Sequence, residues 1–309
     1  MPQSLTVIVP VYNEARALAL FWQRVSPILE ASHLMWSVLF VDDGSRDDTF
    51  AYIQQLAKEH PDHVRGIRLA RNFGKERALA AGLDRTAADI TIIMDVDLQD
   101  PPELIPEMLE AWRKGAAVVM TARRGRGEDS WPKKITARFF YKIYNVIARV
   151  PIEENASDFC LLTKPAVEAL RQLRERCRFT KGLLAWIGFT PVHLYYDRPA
   201  RSDGTSSRWR PLGLWRFALD GLTSFSTRPL HAWTYIGLII ASVSFLFGAS
   251  ILVRTLLFGA DLPGYASLMV VITFLGGVQL VSLGVIGEYL GRIYAEVKGR
   301  PLYLVREEC

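Results

Sequence analysis

Residues Ile90-Thr91-Ile92-Ile93-Met94-Asp95-Val96-Asp97-Leu98-Gln99-Asp100-Pro101-Pro102-Glu103 decide how this chain is read. The β-branched run at the start predicts a buried strand. Two carboxylates follow, two positions apart, a spacing that lets them share a hard divalent cation with phosphate oxygens. The paired prolines start a helix at once and hold the loop between. Surface loops often contain D-x-D, so the surroundings must decide.

Moving outward, short β-rich runs alternate with helical periods through the first 120 residues. The strands are expected at Leu5–Val11, Trp36–Val41, Val64–Leu69, Ile90–Met94 and Ala117–Thr121. Helices are expected at about 14–30, 48–59, 75–87 and 102–113. That alternation predicts a doubly wound α/β fold with a mostly parallel, Rossmann-like sheet. Asp42 and Asp43 close the second strand as Asp95 and Asp97 close the fourth. Ligands of open α/β sheets bind at those carboxyl ends. No GxGxxG follows the first strand, which disfavours a dinucleotide site.

Half of the 309 residues are hydrophobic, and the apolar excess lies after residue 230. Trp233–Val253 and Leu262–Gly287 carry no charge, and each is long enough to cross a hydrocarbon core of about 30 Å. The short connection Arg254–Asp261 makes them a helical hairpin. The chain then divides into a catalytic domain over 1–230, two membrane helices at about 231–255 and 263–289, and a tail over 292–309. Arg228 before the pair, and Arg292, Lys298, Arg300 and Arg306 after it, predict a multi-pass inner-membrane protein with both ends and the catalytic domain in the cytoplasm. Glycines 276, 277, 284, 287 and 291 recur along the second helix and make a homo-oligomer the expected state.

The net charge is +5, yet no nucleic-acid motif stands out, and nucleic acid is not an expected partner. Basic clusters at 123–138, 171–181, 198–216 and 292–306 suit lipid head groups or phosphate substrates. Residues 132–150 and 212–226 are basic, aromatic and amphipathic, a pattern that fits either a core-facing helix or one lying in the membrane interface. Cys160, Cys177 and Cys309 show no metal spacing and fit a reducing compartment. The N-terminal apolar run is short and reads as a strand, not as a signal peptide.

Four further stretches carry a resemblance. Val9-Pro10-Val11-Tyr12-Asn13-Glu14, Val41-Asp42-Asp43-Gly44-Ser45, Arg71-Asn72-Phe73-Gly74-Lys75-Glu76 and the Asp95–Glu103 run stand in the order found in family 2 glycosyltransferases of the GT-A fold. Among these, the chain resembles the polyprenyl-phosphate glycosyltransferases. Gly287-Glu288-Tyr289-Leu290-Gly291-Arg292 and Lys298-Gly299-Arg300-Pro301 are similar to the bacterial two-helix members.

The resemblance implies a nucleotide-sugar donor, a polyprenyl phosphate acceptor at the membrane, and Mg²⁺ or Mn²⁺. Pro10, Tyr12, Glu14, Asp42, Asp43, Lys75 and Asp95 then fall to the donor, Asp97 with Asp95 to the metal, and Gln99 to the sugar. Arg123 and Arg126 match a pair of acceptor arginines; Arg198, Arg201, Ser206 and Arg208 match a phosphate-binding loop. Asp158 matches a general base, or else it positions the acceptor or caps a turn. The expected reaction is inverting hexosyl transfer, with UDP-glucose as first choice and UDP-GlcNAc, GDP-mannose or a modified sugar as alternatives. A polysaccharide synthase usually carries Gln-x-x-Arg-Trp, which is absent.

Overall fold

The structure is a computed structural model that describes residues 3–124, 156–176, 178–196, 228–258 and 264–309. The two amphipathic stretches at 132–150 and 212–226, and Arg126, Arg198, Arg201, Ser206 and Arg208, lie outside the described residues.

The expected strands and helices of the first 120 residues form. The strands are β1 (Ser4–Val11), β2 (Met35–Asp42), β3 (Val64–Leu69), β4 (Ile90–Ile93) and β5 (Val118–Arg123). The helices are α1 (Ala15–Glu30), α2 (Thr49–Glu59), α3 (Lys75–Arg85) and α4 (Ile105–Arg113), with a 3₁₀ turn at Pro102–Leu104 before α4. β6 (Ala156–Thr163), α5 (Lys164–Gln172), α6 (Thr180–Trp186), β7 (Pro191–Tyr196) and β8 (Val305–Glu308) complete the α/β unit. The sheet order is β7-β5-β6-β4-β1-β2-β3-β8. β1–β2, β1–β4, β2–β3 and β5–β7 pair in parallel, whereas β6 runs antiparallel to both β4 and β5, and β8 runs antiparallel to β3. This is a GT-A-like arrangement.

The strands near the middle are apolar on both faces because helices cover both sides. All four residues of β4 are buried, as are Leu5 to Val9 of β1. Helix α1 buries Leu18, Phe21, Val25 and Leu29, a stripe at helical spacing, and Phe21 meets Phe40 edge-on at 5.9 Å. Helix α3 takes a different route, burying Ala78, Ala80, Ala81 and Gly82, small residues that let its backbone approach β1.

The antiparallel β6 fixes the geometry of the site. Its register pairs Ile93 with Cys160. Counting two residues further along each strand brings Asp158 level with Asp95.

Residues 300–309 belong to the same compact unit as the catalytic sheet. Gly66 and Cys309 exchange backbone hydrogen bonds at 2.7 and 2.8 Å, and the Ala70 amide donates to the Leu304 carbonyl at 2.8 Å. Helices α7 (Arg228–Phe258) and α8 (Tyr265–Val297) form a second unit. Among the described residues one helix, over Val270–Val297, is long and apolar enough to cross a membrane. Within α7, Tyr235–Ile251 is a shorter apolar helical stretch.

A methyl group at Gly82 would lie 2.5 Å from Ile8 Cγ2 and 3.2 Å from Val41 Cγ2. Both neighbours are β-branched core residues with little room to yield. Overpacking of about 1–3 kcal/mol should exceed the helix-propensity gain of about 1 kcal/mol. Gly82→Ala is therefore expected to lower the thermal midpoint of the detergent-solubilised protein; an unchanged or higher midpoint would show that α3 can shift away from β1.

Candidate active site

An open cleft of about 310 Å³ lies at the carboxyl ends of β1, β2 and β4. Pro10, Val11, Tyr12 and Glu14 form one wall, following β1. Asp43 comes from the end of β2, and Asn72, Gly74, Lys75 and Ala78 come from the β3–α3 loop and the start of α3. Asp95, Val96 and Asp97 close the cleft from the end of β4. Tyr12 is exposed here, so it is a cleft residue and not a core one.

The loops are stitched together before any ligand arrives. The Asn13 amide donates to Ser45 Oγ at 2.9 Å, and Asn13 Oδ1 accepts the Arg46 amide at 2.9 Å. The Glu14 amide donates to Thr49 Oγ1 at 3.0 Å. Asp43 receives the amides of Phe73 and Gly74 on its two oxygens, at 2.7 and 2.8 Å, which pins the β3–α3 loop to β2. Gly44 makes this possible: it has φ +72°, and a Cβ there would sit 2.5 Å from the Arg71 carbonyl carbon.

The sequence pattern groups Asp42 with Asp43, but the structure separates them. Asp42 is fully buried beneath the turn; its Oδ1 accepts the Ser45 amide at 2.9 Å and its Oδ2 lies 3.4 Å from Arg68 Nε. Burial pushes its carboxyl up, and Ser45 and Arg68 offset this only in part. Adjacent strand residues point to opposite faces, so only one of the two reaches the cleft. Gln99 holds the β4 loop by donating its amide to Asp97 Oδ1 at 3.1 Å, while Leu98 between them adopts φ +53°.

A charge cluster adjoins the cleft and shares Lys75 and Asp95 with it. Lys75 Nζ sits 2.7 Å from Asp95 Oδ2 and 2.7 Å from Asp158 Oδ2, and Lys181 Nζ lies 3.5 Å from Asp158 Oδ1. Glu76, next to Lys75, accepts the Thr180 amide at 3.0 Å and so ties α3 to the helix that carries Lys181. Burial works against the charged forms, yet Lys181 and Lys75 outweigh it at Asp158 and hold that carboxyl well below its usual range. Burial likewise disfavours the Lys75 ammonium, and Asp95 and Asp158 more than compensate, so it stays protonated. Asp95 is pushed up by burial and by its carboxylate neighbours, despite Lys75. Asp158 is thus a poor proton acceptor and a good ion-pair anchor.

Among the described residues no group of three or more His, Cys, Asp or Glu side chains converges as a metal site. Asp95 and Asp97 nevertheless fit a divalent cation of the Mg²⁺ type, which takes one or two carboxylates and completes its shell with substrate phosphates.

Sequence reasoning passed over a second cluster, beside the first. Asp100 is buried and accepts Ser157 Oγ–H at 2.6 Å and the Tyr196 hydroxyl. Arg123 stands opposite Tyr196 in the β5–β7 pairing. The one signal in the sequence was the position of Asp100 inside the carboxylate motif. Glu76 stood in the Arg71–Glu76 stretch without a role, Lys181 only within a basic cluster, and Arg68 carried no signal.

Residues 6–171 match the profile of glycosyl transferase family 2. The chain belongs to that family. This glycosyltransferase is 46% identical over 305 residues to the SfII prophage-derived bactoprenol glucosyl transferase of Shigella flexneri, covering 98% of this chain and 97% of that one. It is 44% identical over 302 residues to a prophage bactoprenol glucosyl transferase homolog of Escherichia coli (strain K12), covering 98% of each. Among solved structures, glucosyl-3-phosphoglycerate synthase from Mycobacterium tuberculosis is 18% identical with a TM-score of 0.46, covering 70% of this chain and 76% of that one.

A depressed carboxyl stabilises the fold above its unfolded value, about 3.9 for Asp, and loses that contribution as pH falls through its folded value. Lys181→Met should bring the folded value of Asp158 closer to its unfolded one, so the variant should melt below the parent at neutral pH, and the gap should narrow as pH falls below about 4. A pair of superimposable melting-temperature profiles from pH 3 to 7 would refute the Lys181–Asp158 linkage.

Proposed function

We propose that this glycosyltransferase moves a hexose, glucose from UDP-glucose in the first instance, onto a polyprenyl phosphate. The observation that carries the reading is full-length similarity to bactoprenol glucosyl transferases, which extends through the C-terminal helices as well as the catalytic sheet. The cleft geometry supports it: the donor set Pro10, Tyr12, Glu14, Asp43, Lys75, Asp95 and Asp97 shares one pocket.

In the proposed reaction a phosphate oxygen of the lipid attacks the anomeric carbon from the face opposite the diphosphate. The new C–O bond forms as the bond to the diphosphate breaks, and UDP leaves with the electron pair. Mg²⁺ or Mn²⁺ held by Asp97 and Asp95 would offset charge on the departing diphosphate. A phosphate monoester is mostly ionised near neutral pH, so its attack needs no strong base. That agrees with an Asp158 held by two lysines, which places the acceptor without taking its proton. Arg123 supplies a guanidinium for the lipid phosphate, and Arg126, Arg198, Arg201, Ser206 and Arg208 complete that set in the proposal.

In the same proposal α7 and α8 cross the membrane as a hairpin. Strands β7 and β8 lie in one sheet, which supports an even number of crossings between them. At about 1.5 Å per residue, the 31 residues of α7 are long enough for one of them. Arg228, Lys298, Arg300 and Arg306 favour the cytoplasmic side for both ends. Self-association through the glycines of α8 belongs to the same proposal.

Membranes containing the protein, incubated with a panel of labelled nucleotide sugars and extracted for lipid, test this directly. Label should appear in a lipid-linked monosaccharide, most strongly with UDP-glucose. Asp97→Ala should lower transfer by about a hundredfold or more without changing the melting temperature. Label in polymer, or full activity in Asp97→Ala, would overturn the reading.

A further inference from the structure

We propose that Asp100 is a positioning residue that sets the distance between the donor carboxylates and the acceptor side of the cleft, acting through Ser157 and Tyr196. The roles of the groups it joins rest on the function proposed above; the joining itself is a matter of geometry.

Asp100 stands three residues after Asp97 and directly before Pro101 and Pro102, where the 3₁₀ turn begins. Its side chain points away from solvent, and Asp100, Ser157 and Tyr196 are all buried. Each carboxylate oxygen is committed to a different strand. Oδ2 accepts Ser157 Oγ–H at 2.6 Å, and Ser157 is the residue before Asp158. Oδ1 accepts the hydroxyl of Tyr196, the last residue of β7.

Both residues continue outward. Ser157 Oγ accepts the Phe159 amide at 3.3 Å, which fixes the backbone on either side of Asp158. Tyr196 stands opposite Arg123 in the β5–β7 register, and its carbonyl accepts the Arg124 amide at 3.0 Å. Burial, reinforced by Asp100, pushes the Tyr196 phenol up to about 12, so it stays protonated and donates to the carboxylate.

A buried carboxylate is an expensive way to join segments that apolar side chains could join. Here it joins the segment that carries Asp97 to the one that carries Asp158 and to the end of β7, where Tyr196 stands opposite Arg123. Its two oxygens, at a fixed separation, give both strands one shared reference point, and the prolines after it stop the loop from sliding. A displacement of about 1 Å at a reacting group costs about a hundredfold in rate, so such a reference has kinetic consequences.

The test uses full-length enzyme in detergent, with UDP-glucose, polyprenyl phosphate and Mn²⁺. For Tyr196→Phe, the KM for polyprenyl phosphate should rise roughly tenfold, as expected for losing one hydrogen bond to a charged group, with the UDP–Mn²⁺ dissociation constant within about twofold of the parent. For Ser157→Ala, kcat should fall by about ten- to a hundredfold with both affinities kept. Asp100→Asn should show both effects and should also weaken UDP–Mn²⁺ binding, because the Asp97 loop loses its anchor. Variants that melt earlier yet keep parental KM and kcat would overturn the proposal and leave Asp100 purely structural. A uniform loss of every constant in Tyr196→Phe would do the same. If the parent enzyme transfers no sugar, the functional reading fails instead, and the UDP–Mn²⁺ affinity of Asp100→Asn decides this inference: parental affinity sinks it.

Discussion

Carboxylates gathered at one end of a sheet repel one another, and the site depends on how that repulsion is met. Lys75 meets it from the first turn of α3, between Asp95 and Asp158 and 2.7 Å from each. The two aspartates come from neighbouring strands, β4 and β6, whose antiparallel register brings them level. Lys181 adds a second cation on the far side of Asp158. About a third of each carboxylate remains accessible, so the cluster is compensated but open to a ligand.

The same economy holds α3 in place. At its start, Glu76 reaches α6 and Gly74 is pinned by Asp43. At its end, Asp84 accepts the Tyr303 hydroxyl at 2.7 Å and pairs with Arg174 at 2.7 Å, and Arg85 pairs with Glu308 at 2.7 Å. Exposed pairs of this kind contribute little individually. The small-residue face of α3 against β1 supplies the packing, and the pairs fix its rotation. Lys75 therefore projects from a helix held at both ends, one of them by the last ten residues of the chain.

Those last residues also connect the catalytic sheet to the membrane question. Edge strands tend to attract foreign partners, and β3 would be one without β8. Covering it with Val305–Glu308 protects the edge and returns the C-terminus to the catalytic unit. Glu307 lies 3.6 Å from Arg68, which in turn backs Asp42 under the Asp43–Ser45 turn. The tail is thus part of the α/β unit, although its charged sequence reads as a solvated end.

The apolar runs of the first 120 residues were enough to place five strands and four helices, since a strand buried on both faces leaves an uninterrupted signature. They were also enough to put Asp43, Lys75, Asp95 and Asp97 at strand ends or helix starts, where a cleft must form. Pairing partners were beyond them. β6 inserts between β4 and β5 from across a separation no local period reports, and β8, Val-Arg-Glu-Glu, has the composition of a loop. Neighbouring residues were indistinguishable as well: Asp42 and Asp43 differ only in which face of the strand they occupy. Chain order alone determined that carboxylates would gather at the end of a sheet. Only the tertiary structure decided which lysines stand between them, and that Asp100 faces inward to Ser157 and Tyr196, because those contacts depend on strand register and not on sequence spacing.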